Sequence, residues 1–73
     1  MKLPKKQIVD LNYPIRLGQF LKLVNVAQDG QEAKIIIRQG LVKVNDRVEK
    51  RRGKQLHAGD IVEVQNNYRY ILH

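Results

Sequence analysis

The chain has 73 residues, enough for one small domain, and carries 14 Lys and Arg against 7 Asp and Glu, a net charge of +7. Cys, Trp, Ser and Thr are all absent. That excludes thiol and aliphatic-hydroxyl nucleophiles, disulfide bridges, thiolate metal sites and regulation by Ser/Thr phosphorylation. Hydrophobic residues make up 42% of the chain, sufficient for a core. The core is a thin one, because chains below about 70–80 residues rarely hold more than ~3–5 kcal/mol of net stability. A deep enclosed catalytic pocket is therefore not expected, and the pI near 10.1 points to a polyanionic partner, nucleic acid above all.

Residues 1–7 are basic and polar, include Pro4, and read as a flexible arm ahead of a single domain over residues 8–73. Ile8 to Leu11 is a possible short strand, and Asn12-Tyr13-Pro14 is turn chemistry, since Pro14 biases Tyr13 away from helix. Lys2, Lys5 and Lys6 imitate a signal-peptide start, but Asp10 and Asn12 follow Ile8-Val9 at once, so no apolar segment forms. The longest aliphatic run is Ile35 to Ile37, far short of the ~20 residues of a spanning helix. A cytoplasmic protein is expected.

Arg16 to Val24 reads as a first helix: Leu17, Phe20, Leu21 and Val24 fall at i, i+3, i+4 and i+7 on one stripe. A tight connection follows over residues 25–28. The second helix opens on Asp29 and Glu32, a D-x-x-E variant of the capping box. It continues through Ala33, Ile36 and Ile37, and ends at Gly40, where a left-handed residue belongs. Its other side carries Gln31, Lys34 and Arg38. From Leu41 the period changes to two. Val42 to Val44, an Asn45-Asp46 turn and Arg47 to Glu49 read as a hairpin; Ile61 to Gln65 and Tyr68 to Leu72 read as later strands. The fold class is α+β, a small antiparallel sheet packed on a helix pair.

Charge concentrates between residues 34 and 54, where eight Lys and Arg face two acids, a local +6. Lys34 and Arg38, with Gln31, suit a helix face laid along a phosphate backbone. The run Lys50, Arg51, Arg52 and Lys54 packs four cations into five residues, with Gly53 allowing close approach of the backbone. Lys43, between Val42 and Val44, faces outward toward the reach of that loop. Tyr68 and Tyr70 can share a strand face, but core or edge packing is the better reading of so few aromatics. No His or carboxylate spacing resembles a metal site, and Gly53-Lys54 lacks the Ser or Thr and the upstream glycine of a phosphate loop. No catalytic residue, metal or cofactor is expected, and an enzyme is the weakest reading.

Arg16-Leu17, Leu21, Ala33-Lys34, Ile37, Gly40, Val42, Val44-Asn45 and Gly59-Asp60 stand in an order and spacing that resembles one family. It is the RNA-binding domain first seen in ribosomal small-subunit protein four, the S-four or alpha-L domain, and the likeness runs over about residues 16–64. The chain looks most like small stand-alone bacterial members. The resemblance implies two antiparallel helices on a bent, mostly antiparallel sheet. It also implies binding of structured RNA, ribosomal or transfer RNA, through Lys34 and Arg38 on the second helix and Arg16 at the start of the first. Gly18 stands where many members place an acid, and Asp29-Gly30 where many place Ser or Thr followed by Arg. That shifts the expected weight of contact to Lys50, Arg51, Arg52 and Lys54.

The function expected is thus a non-catalytic RNA-binding protein, a monomer that docks a basic helix and loop on structured RNA. The RNA expected is ribosomal, within ribosomal particles, and the expected role lies in ribosome assembly or quality control. Neither a membrane nor a small-molecule substrate is expected. The rival readings are a duplex-DNA binder, with Gln31 and Arg38 as its base readers, and a basic adaptor for an acidic protein.

Overall fold

The computed structural model describes residues 5–10, 14–65 and 67–73. Its elements run β1 (Lys5–Val9), β2 (Ile15–Arg16), α1 (Leu17–Leu23), α2 (Gly30–Arg38), β3 (Val42–Val44), β4 (Arg47–Val48), β5 (Gln55–Leu56), β6 (Ile61–Val64) and β7 (Tyr68–Leu72). Five strands form one sheet in the order β1-β7-β6-β3-β4, and β2 pairs with β5 in a separate two-strand ladder. All pairs are antiparallel except β1 with β7, so the main sheet is mixed but mostly antiparallel.

Both helices end the same way. Asn25 (φ 63°) and Gly40 (φ 75°) occupy the left-handed position after α1 and α2. After α1, the N–H groups of Asn25 and Val26 donate to the carbonyls of Lys22 and Leu21. After α2, those of Gly40 and Leu41 donate to Ile37 and Ile36. Each is a Schellman motif that satisfies otherwise orphaned carbonyls. At the start of α2, Asp29 accepts from Glu32 N–H at 2.9 Å. The returning Glu32 carboxylate takes Gln28 N–H, one residue before the cap, instead of closing the usual box on Asp29.

The apolar stripes meet as the periodicity predicts. Leu17, Phe20 and Leu21 of α1, Ala33 and Ile37 of α2, and alternate residues of β3, β6 and β7 are buried together. Phe20 meets Tyr70 edge-on, ring centroids 5.5 Å apart at 84°. The hairpin turn is Asn45-Asp46 with φ of 53° and 69°, the two-residue geometry that matches strand twist. Asn45 then ties the hairpin to β6: its Oδ1 accepts Ile61 N–H and its Nδ2 donates to Asp60. Asp60 also accepts His57 N–H at 2.8 Å. The Val-x-Val-Asn and Gly-Asp motifs therefore hold one corner of the sheet.

Two expectations are corrected. Lys5 to Gln7, assigned to a loose arm, belong to β1, which lies parallel to β7 in the register Ile8↔Ile71 and Val9↔Leu72. The rest of the arm, residues 1–4, and the turn at Asn12-Tyr13 lie outside the described residues. The second correction is the β2–β5 ladder, absent from the expected order. It is two residues long, with Ile15 paired to Leu56, and both side chains are buried. Too short to show a period, it is stabilised by core burial.

Candidate nucleic-acid interface

The start of α1 organises the basic loop. The first N–H groups of a helix have no partner within it. Here Leu17 N–H donates to the Lys54 carbonyl at 2.8 Å and Gly18 N–H to the Arg52 carbonyl at 3.0 Å. Gln19 Oε1 accepts Arg16 N–H, and the Arg16 guanidinium donates through Nη1 to the Gly53 carbonyl at 2.8 Å. Together with the β2–β5 ladder, these bonds bind residues 52–56 to residues 15–18 and carry the loop's cations to the helix pair.

Two adjoining open clefts result. One, of about 410 Å³, is lined by Arg16, Gly18, Gln19, Lys22, Gly30, Arg52 and Gly53. The other, of about 260 Å³, is lined by Lys34, Ile37 and Arg38 of α2 with Lys50 and Arg52 of the loop. Arg52 is common to both. None of Arg16, Lys22, Lys34, Arg38, Lys50 and Arg52 makes an ion pair among the described residues. Their charge is available to an outside anion.

The other predicted site residues are placed differently. Arg51 turns to Glu49 in a two-bonded pair, Nε to Oε2 at 2.9 Å and Nη2 to Oε1 at 3.2 Å. The hydrogen bond from Arg51 holds the Glu49 carboxyl below its ordinary pKa, and the same bond raises that of Arg51. Arg51 is thus locally neutralised and lines neither cleft. Lys43 lies on the outer sheet face between Val48 and Glu63, lining a small separate depression with Gly40 and Glu63. Gln31 is exposed on α2 outside both clefts, and Lys54 is half-buried, its carbonyl used by Leu17. Lys22 is the cation that sequence reasoning missed. Its signal was its place four residues after Gly18, one turn along the polar flank of α1.

Six cations, drawn from β2, the two helices and one loop and without ion pairs among the described residues, thus surround two adjoining open clefts on a small α+β scaffold. The family model of the S4 domain matches residues 7–72. A probable ribosome maturation protein, RlbA of Bacillus subtilis (strain 168), is 49% identical over 51 residues, covering 70% of this chain and 72% of that protein. Among solved structures, the 30S ribosomal protein S4e of Thermoplasma acidophilum matches with a TM-score of 0.56 and 22% identity. That match covers 77% of this chain and 30% of the ribosomal protein, and it shows a shared fold. The chain belongs to the S4-domain family, the one its residue series resembles.

Proposed function

We propose that the protein binds structured RNA without catalysing a reaction, that ribosomal RNA is its target, and that it serves the maturation of ribosomal particles. The observation that carries this reading is the convergence of Arg16, Lys22, Lys34, Arg38, Lys50 and Arg52 on two open clefts joined at Arg52. Shallow cationic clefts suit a phosphate backbone, whose neutralisation releases counterions. Such contacts set position and register, and helical RNA is recognised largely through shape and backbone. The family membership and the ribosome-maturation name of the Bacillus relative support ribosomal RNA over other anions.

A salt titration tests it. The protein is titrated against structured ribosomal RNA, transfer RNA and duplex DNA at matched ionic strength. With roughly five phosphate contacts, log K falls against log salt with a slope of about −4. Ribosomal RNA binds most tightly, and Arg38→Glu with Arg52→Glu removes both affinity and slope. Equal, weak and salt-insensitive binding of all three nucleic acids overturns the reading and leaves an acidic protein as the partner.

A further inference from the structure

Across α2 from the cationic clefts lies an open groove of about 430 Å³ whose described lining carries no charged side chain. At 3.6 residues per turn, Ile36, which lines it, stands about 160° around the helix from both Lys34 and Arg38. Among the described residues, no Lys, Arg, Asp or Glu lines the groove, although 29% of the chain is charged. Its walls include Val26, Ile36, Tyr68 and Tyr70, with the exposed amides of Asn25 and Gln65 at its edge.

The two tyrosines have different roles. Tyr70 is buried and fixed edge-on against Phe20. Tyr68 lies nearly parallel to Tyr70, centroids 6.3 Å apart at 16°, and remains 40% exposed. An aromatic surface whose orientation the core sets is therefore open to the groove. Asn25, the left-handed residue that ends α1, and Gln65, at the turn between β6 and β7, are both held at positive φ, 63° and 54°, so the backbone at each is set by the fold. Each amide presents donors and an acceptor in one plane, the pattern of a nucleobase edge. An apolar peptide would want an unbroken apolar rim, and here two amides interrupt it.

We propose that this groove receives one unpaired nucleobase of the bound RNA, stacked on Tyr68 with its edge toward Asn25 and Gln65. The phosphates held by the cationic clefts belong to nucleotides further along the strand, so the RNA backbone passes over a helix of ~10–12 Å diameter between the clefts and the base. The inference rests on the RNA-binding reading above and adds to it a requirement for an unpaired nucleotide beside the docked helix.

The test is an NMR titration of the full chain with a short single-stranded oligouridylate. The same oligomer without bases, a fully paired RNA duplex and a short apolar peptide are the comparisons. The oligouridylate moves the Tyr68 ring signals and the side-chain amides of Asn25 and Gln65; the abasic oligomer and the duplex move only the signals of the cationic clefts. Tyr68→Ala weakens oligouridylate binding about tenfold, Tyr68→Phe retains it, and duplex affinity is unchanged in both. Shifts confined to the cationic clefts for every RNA, with no effect of Tyr68→Ala, overturn the base site while RNA binding stands. No shift anywhere with any RNA overturns both. Groove signals that move with the peptide and not with the oligouridylate overturn the base site in favour of a protein partner.

Discussion

The side chain of Arg52 runs across the backbone of Gly18, so closely that a Cβ at residue 18 would lie 2.6 Å from Arg52 Cγ. The Arg52 carbonyl accepts the Gly18 N–H at the same point. Gly18 thus makes room for the arginine shared by both cationic clefts. Gly18→Ala forces Arg52 out of its path. RNA affinity then falls several-fold, toward that of Arg52→Ala, while stability changes by less than about 1 kcal/mol because alanine is the better helix former. A double-mutant cycle between positions 18 and 52 checks this: the two losses are strongly non-additive.

Arg51 and Arg52 are neighbours with different surroundings. Arg51 is paired with Glu49, whereas Arg52 is unpaired and lines both clefts. Arg52→Ala lowers the salt slope of RNA binding by about 1, the signature of one lost phosphate contact. Arg51→Ala leaves the slope nearly unchanged, and Glu49→Gln raises affinity by releasing Arg51. Salt titrations of the three variants against one RNA decide the matter.

The same pair responds to acid. The folded-state pKa of Glu49 is depressed, chiefly by the hydrogen bond from Arg51. Its contribution to stability is therefore present above the unfolded-state pKa and is lost as pH falls through the folded-state value. The pair is at the surface, so the stability change is small. The direct readout is the carboxyl carbon of Glu49, which titrates below the ordinary glutamate range in the wild type and moves up in Arg51→Ala, where the side-chain bond is lost and the backbone N–H of residue 51 still donates.

Asn45 and Asp60 hold the sheet corner through side-chain bonds to each other, to Ile61 N–H and to His57 N–H. Asp60→Ala leaves two donors without their partner and costs about 1–3 kcal/mol. Denaturant unfolding shows the loss. RNA affinity measured well below the midpoint stays at the wild-type level, because neither residue lines a cationic cleft.

Phe20 is fully buried and packs on Tyr70. Phe20→Ala removes about 3–5 kcal/mol, comparable with the whole stability of a domain this small. The variant loses cooperative thermal unfolding, and Phe20→Leu restores it in large part.

The helices, the hairpin and the later strands β6 and β7 were legible because their signals are local. A 3.6-residue stripe from Leu17 to Val24, the Asp29 cap, the left-handed Gly40 and the period-two run from Val42 each specify a conformation without reference to distant residues. The cationic side of α2 was legible for the same reason. β1 and β2 were not. Lys5–Val9 is a strand because β7, more than 60 residues later in sequence, offers it an open edge, and Ile15-Arg16 because Leu56 pairs with Ile15.

An α+β module with a basic stripe and a basic loop is written into the residue order, since periodicity, caps and charge are properties of neighbouring residues. Which cations stand beside one another depends on the fold. Arg52 joins Arg16, Lys22, Lys34, Arg38 and Lys50, while Arg51 is spent on Glu49 and Lys43 faces away. That choice depends on the orphan N–H groups at the start of α1 capturing the loop's carbonyls and on a glycine leaving space for an arginine 34 residues away in sequence. Such long-range closures leave no period in the chain.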